Sequence, residues 1–250
     1  MKKMMIVVGL GLMGAGTAFA QTGTTRVEIP VQTLLTPEKG FEEKNNIQAV
    51  LYGYLPNQCY TLSNYEVRTQ PSGDILVRQF AIHDTTGVCA NEQSMPAHMQ
   101  MIVPFTTEVS IGHLFAGIHT LDYDTSSGMK TRPVDISTNV SPNVDTLPYA
   151  AVTAAIAPDM MNGADPVKVT VTGFLNSTCT SLDPVVQVMR ENDVFVLLPT
   201  IKVKVDEFCA QVMIPFEKEV NLGKTFPGIH LIHVRSMNGR SVNKVVVVAK

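Results

Sequence analysis

The chain repeats itself, and the repeat limits the folds open to it. Pro104-Phe105-Thr106-Thr107-Glu108-Val109-Ser110-Ile111-Gly112-His113-Leu114-Phe115-Ala116-Gly117-Ile118-His119 aligns without a gap to Pro215-Phe216-Glu217-Lys218-Glu219-Val220-Asn221-Leu222-Gly223-Lys224-Thr225-Phe226-Pro227-Gly228-Ile229-His230, with nine identical positions. Upstream, Gly53-Tyr54-Leu55-Pro56-Asn57-Gln58-Cys59 matches Gly173-Phe174-Leu175-Asn176-Ser177-Thr178-Cys179, and Cys89-Ala90 matches Cys209-Ala210. Val27-Glu28-Ile29-Pro30-Val31 corresponds to Asp145-Thr146-Leu147-Pro148-Tyr149. Each copy is therefore about 110 to 120 residues, the size of a domain and not of a solenoid repeat.

Within each copy the hydrophobic period is two. Val167, Val169 and Val171 alternate with Lys168, Thr170 and Thr172, and Ile201-Lys202-Val203-Lys204-Val205 alternates again. Asn238-Gly239 predicts a tight hairpin between two apolar runs, and Ser126-Ser127-Gly128 occupies the matching turn of the first copy. Ala150 to Ile156 is compatible with either a short helix or a strand. Short alternating strands separated by turns predict an all-β chain of two antiparallel β-sandwich domains. The expected boundaries are 21–138 and 145–250, joined by a polar linker at 139–144 that lets the two reorient.

The succession Gly-x-Leu-Pro-Asn-x-Cys, a second Cys and then Pro-Phe resembles the immunoglobulin-like modules of secreted bacterial proteins. That resemblance implies a tandem immunoglobulin-like fold and says little of function. The chain departs from a true immunoglobulin domain in having no Trp and only 30 residues between paired cysteines. The cystine is therefore expected to join neighbouring strands, or a strand to a loop. His119 and His230 fall where such modules place a tyrosine that bonds to backbone at a sheet corner.

The N-terminus sets the compartment. Lys2 and Lys3, an apolar run from Met4 to about Ala15, and Ala18-Phe19-Ala20 read as a signal peptide over residues 1–20, cut after Ala20. The protein is expected to be periplasmic or secreted. Gly9-Leu10-Gly11-Leu12-Met13-Gly14 matches a dinucleotide-binding fingerprint, but no amphipathic helix follows it and no second parallel strand carries the acidic group such a site needs. Export favours oxidation, and the duplicated spacing selects Cys59–Cys89 and Cys179–Cys209 from three possible pairings. Close C-x-x-C spacing, the usual mark of redox or metal thiols, is absent.

The function-bearing candidates are few. Cys89 stands 15 residues before Pro104 but Cys209 only 6 before Pro215, so the first copy holds an insertion. It contains Met95, His98, Met99 and Met101, three thioethers and an imidazole suited to a soft ion such as copper(I). The competing reading has Met99 and Met101 alternating into the core ahead of Val103. Glu38-Lys39-Gly40-Phe41-Glu42-Glu43-Lys44 reads as a solvated mixed-charge loop. His119 and His230 read as structural, and His233 has no counterpart because Asp122 stands at its position.

No nucleophile elbow, zinc-protease helix or phosphate-binding loop occurs, so no catalytic residue and no cofactor are expected. The net charge of −3, without a basic cluster, argues against nucleic acid, and no later apolar run reaches the length of a membrane span. The expectation is an exported, non-enzymatic binding, adhesion or structural protein with a protein or cell-envelope partner. The alternative is a copper or small-ligand carrier using the Met and His insertion.

Overall fold

The computed structural model describes residues 23–204 and 208–250; the signal-peptide reading and the cut after Ala20 lie outside them. Among the described residues every regular element is a strand or a 3-10 turn. The first half contributes β1 (Thr24–Ile29), β2 (Thr33–Leu35), β3 (Phe41–Glu42), β4 (Ile47–Leu55), β5 (Tyr60–Thr69), β6 (Ile75–Asp84), β7 (Val103–Gly112), β8 (Gly117–Thr125) and β9 (Gly128–Ser137). The second contributes β10 (Ala151–Ile156), β11 (Met160–Asn162), β12 (Val167–Leu175), β13 (Thr180–Leu182), β14 (Gln187–Glu191), β15 (Val194–Leu198), β16 (Ile201–Val203), β17 (Ile214–Gly223), β18 (Gly228–Ser236) and β19 (Arg240–Ala249). The Ala-rich stretch that left helix and strand open is β10, paired to β12.

Each half stacks a large sheet on a small one. In the first, β1-β6-β8-β9-β3, with β5 also on β6, faces β2-β4-β7; in the second, β11-β19-β18-β15-β14 faces β10-β12-β17. Alternation explains the layers: Val167, Val169 and Val171 are buried while Lys168 is exposed. The Asn238-Gly239 hairpin forms as expected, with both residues at positive φ (63° and 67°), the pair of dihedrals that matches strand twist.

The sheets are mixed, which corrects the purely antiparallel expectation. β6 runs parallel to β8, β15 parallel to β18, β3 parallel to β9 and β11 parallel to β19. An immunoglobulin sandwich keeps its central pairs antiparallel. The difference arises because the chain folds a hairpin, β5–β6 or β14–β15, onto the sheet by its second strand. Alternation does not encode strand direction.

The halves also diverge where proline intervenes. The long β5–β6 hairpin of the first half is divided in the second into β14–β15 and the short pair β13–β16. Pro199 lies between β15 and β16, and a proline has no amide hydrogen to give to a ladder. The strand equivalent to β1 shrinks to a single bridge between Tyr149 and Thr200.

One packing device is common to both. Gly53 on β4 pairs with Phe105 on β7, and Gly173 on β12 pairs with Phe216 on β17. A Cβ on Gly53 would stand 2.7 Å from the Phe105 ring, and one on Gly173 would stand 2.8 Å from the Phe216 ring and 2.1 Å from the Ala151 carbonyl oxygen. The aromatic ring lies over the glycine and supplies the apolar cover that a side chain there would give. Both Gly and Phe belong to the repeated sequence.

Candidate functional site

The two halves pack directly on each other. Val194-Phe195-Val196-Leu197-Leu198 is buried along its whole length because β15 is covered on both faces. Phe195 and Leu197 enter the second sandwich, while Val194, Val196 and Leu198 join Leu231, Tyr149 and, from the first half, Leu35 and Val50. The outer face of the second half's large sheet thus rests on the outer face of the first half's small sheet.

The corresponding face of the second half's small sheet is more polar. Where β4 carries Val50 and Tyr52, β12 carries Thr170 and Thr172.

Polar groups fix the junction. Arg235 on β18, 1% exposed, donates from Nη2 to Asn45 Oδ1 at 2.6 Å and to Asp145 Oδ1 at 2.9 Å. Gly239 N donates to Asp145 Oδ2 at 2.9 Å. Among the described residues the Arg235 Nε and Nη1 atoms have no hydrogen-bond partner, and the guanidinium lies 5.7 Å from the Phe41 ring centre and 5.3 Å from that of Tyr149. Arg132 forms a two-pronged pair with Asp193 at 2.7 and 3.1 Å. Gln48 Oε1 accepts from Ser241 Oγ and Asn243 Nδ2.

The loop from Glu38 to Lys44 belongs to this junction, which corrects its reading as a solvated loop. Glu42 accepts from Thr146 N and Oγ1, Glu43 accepts from Asn139 N and Ala116 N, and Lys44 donates to the carbonyls of Ser141 and Asn143. The backbone amides of Glu38 and Lys39 donate to the Glu191 carboxylate. Charges that look solvated in sequence satisfy linker backbone groups, and Phe41 among them is buried.

Beside the junction the two halves leave a cleft of about 370 Å³, within the lower range of small-ligand sites. One wall is the outward face of β4 and β7, where Tyr52 is opposite Thr106 and Val50 opposite Glu108, with Pro104 at its end. The other wall is Val245 and Val247 on β19 with Met160, Lys244 and Asp159. The Tyr52 and Tyr54 rings meet edge to face at 5.5 Å, and the Tyr52 hydroxyl donates to that of Tyr54 at 3.3 Å. Burial, reinforced by that hydrogen bond and the neighbouring phenol, pushes the Tyr52 hydroxyl up to about 12, so it stays protonated. Lys244 is paired with Asp159, whose carboxyl it holds below the usual range.

Residues 169–248 match the ORF11 β-sandwich domain. The matched stretch begins within β12 and ends within β19, so it holds Asn243, Lys244, Val245 and Val247 of the cleft and the Arg235 side of the junction, while Asp159 and Met160 precede it. No curated protein and no solved structure matches the chain.

Of the other sequence candidates, the cystines form as paired: Cys59–Cys89 with Cα atoms 5.7 Å apart and Cys179–Cys209 at 5.4 Å. Cys59 immediately precedes β5, and Cys89 lies in the 3-10 turn Gly87–Ala90, a strand-to-loop link. The insertion folds over the first of these. Met95, 4% exposed, packs on the cystine with Tyr60 and Met99.

Met99 ends a 3-10 turn (Ala97–Met99) and Met101 is 61% exposed, so neither alternates into the core ahead of β7. His98 is exposed on the same turn. The four side chains thus divide between a cystine lid and the surface. Among the described residues no three His, Cys, Asp or Glu side chains gather as metal ligands.

His119 and His230 each place Nε2 2.8 Å from a carbonyl four residues back, Phe115 and Phe226 respectively, closing the same corner. His233 is buried, with Nδ1 2.8 Å from Asn243 Oδ1 and its ring edge-on to Phe41 at 5.2 Å. Sequence reading passed over Tyr52, Glu108 and Lys244. The signal was present in Ile47-Gln48-Ala49-Val50-Leu51-Tyr52, which is apolar at positions that should face water if only one face of β4 were covered.

Proposed function

We propose that the chain is an exported, non-enzymatic binding, adhesion or structural protein, periplasmic or secreted, built of two tandem β-sandwich modules. It attaches to a protein or cell-envelope component through the cleft between the modules. The supporting observation is that outward faces of both halves, fixed against each other by the Arg235–Asp145–Asn45 contacts, together line that cleft. Two cystines suit an oxidising compartment, and no helix among the described residues is long and apolar enough to cross a membrane. The copper alternative would require Met95 to leave the cystine it packs against, so the cleft is the preferred site.

Thr106→Trp fills the cleft from β7, and Thr170→Trp adds the same bulk to the exterior of β12. Capture from cell-envelope extract should recover one defined partner with the wild type and Thr170→Trp but not with Thr106→Trp. Equal recovery by all three overturns the assignment.

A further inference from the structure

The insertion of the first half rests on a stacked pair of rings through a carboxylate. Glu92, on the 3-10 turn Glu92–Ser94, places Oε1 3.3 Å from the Tyr60 hydroxyl, which donates to it, and 3.3 Å from His83 Nε2. Tyr60 and His83 are opposite each other on β5 and β6, with their rings 4.3 Å apart and within 3° of parallel. His83 Nε2 is closed off from solvent and has no hydrogen-bond partner among the described residues, so its contact with Glu92 is close but not aligned.

The second half, which lacks the insertion, carries neither ring. Thr180 follows Cys179 as Tyr60 follows Cys59, and Val203 stands six residues before Cys209 as His83 stands six before Cys89. Thr180 and Val203 are again opposite each other, on β13 and β16. The stacked pair thus accompanies the insertion and not the cystine, which both halves have. Met95 covers the first cystine by packing, and packing alone is indifferent to pH.

An unperturbed imidazole changes its charge between about pH 5 and 8. When His83 is protonated both ring nitrogens carry hydrogen, so Nε2 becomes a donor to the Glu92 carboxylate while the positive ring lies on the Tyr60 face. Burial, and then the Glu92 carboxylate, hold the Tyr60 phenol above its ordinary value, so it keeps its proton throughout this range. On β1 the residue opposite His83 is the uncharged Thr25. Asp84 accepts from Thr86 N and Oγ1 at 2.8 and 2.7 Å and, being next to His83 on β6, stays beside it whether or not the insertion is seated. His98 is exposed on the turn Ala97–Met99.

We propose that the insertion is a pH-sensitive lid over the Cys59–Cys89 cystine, held down by Glu92 on the Tyr60–His83 stack and closed more tightly when His83 takes up a proton. The Met95 amide donates to the Glu92 carbonyl at 3.3 Å, so seating the carboxylate also seats the thioether on the cystine. Acid tightens the cover, and a pH above neutral loosens it.

The test follows amide hydrogen exchange at Met95, Met99 and Gln100, whose amides donate within the insertion, in the oxidised full chain and in Glu92→Gln. Taking the ratio of the two rates at each pH cancels the chemical pH dependence of exchange. Wild-type protection relative to Glu92→Gln should grow about two- to fivefold from pH 8 to pH 5, the scale of a half-exposed ion pair. It should shrink again as Glu92 itself protonates near about pH 4. His83→Phe keeps a stacked ring without the titrating nitrogen, and in that background the ratio should be flat, whereas His98→Gln should leave its rise unchanged. A flat ratio in the otherwise wild-type chain overturns the lid switch, and a rise that survives His83→Phe, or disappears in His98→Gln, overturns His83 as the group that works it.

Discussion

Arg235 Nη2 and Asp145 Oδ1 stand 2.9 Å apart with both side chains closed off from solvent, one from the last hairpin of the second half and the other from the segment that follows the linker. Removing one partner strands the other's charge, which typically costs about 3 to 5 kcal/mol. Asp145→Ala should lower the unfolding free energy read from urea titration by that amount, and Arg235→Met with Asp145→Leu should recover much of the loss. A single Asp145→Ala variant as stable as the wild type would show that the pair does not hold the junction.

Acid should weaken the fold through His233. Burial, followed by the nearby Arg235 charge, lowers its pKa from 6.5 to about 3, against the hydrogen bond it makes to Asn243 Oδ1, which raises it. The folded protein therefore keeps this ring neutral while the unfolded chain protonates it below pH 6.5. Its stability contribution is full above about pH 6.5 and is lost as pH falls towards 3, amounting to about 2 kcal/mol by pH 5. Urea midpoints from pH 8 to pH 5 should fall more steeply for the wild type than for His233→Gln, and parallel slopes would count against it.

The cystines should matter through chain entropy. Each closes a loop with a sequence separation of 30, for which the loop model gives about 3 to 4 kcal/mol. Replacing Cys59 and Cys89 together by Ala should cost that much. It should also loosen the Met95 lid, read as faster proteolysis between Glu92 and Gln100. Unchanged protection there would mean the insertion stands without its cystine.

The two glycine–phenylalanine pairs should respond unequally to a methyl group. At Gly53 the obstacle is the edge of the Phe105 ring, which can shift; at Gly173 it is also the Ala151 carbonyl oxygen, part of the paired strand β10. Gly53→Ala should cost about 1 to 3 kcal/mol, the usual range for overpacking, and Gly173→Ala more. Thermal unfolding of both variants checks the order.

Much of the architecture is legible in the chain because it depends on local chemistry. Val167, Val169 and Val171 alternate with polar residues and become an inner strand face; Asn238-Gly239 accepts positive φ and becomes a hairpin. The spacing of the cysteines, repeated once, selects two loops that close. The turn ahead of His119 and His230 is equally local, since each ring reaches a carbonyl four residues back.

Strand direction, the placement of the halves and the cleft are not local. Whether β15 lies parallel or antiparallel to β18 depends on which strand of a hairpin reaches the sheet, and a period of two is the same either way. Glu42, Glu43 and Lys44 look like solvent-facing charges until Asn139, Ser141, Asn143 and Thr146 are brought against them. The chain by itself determined that it makes duplicated, cystine-closed β structure, because alternation, turn dihedrals and loop closure act between near neighbours. Only the tertiary structure decided that Tyr52 and Glu108 share a cleft with Lys244 and Val247, because those residues lie more than a hundred positions apart and meet only where one sandwich rests on the other.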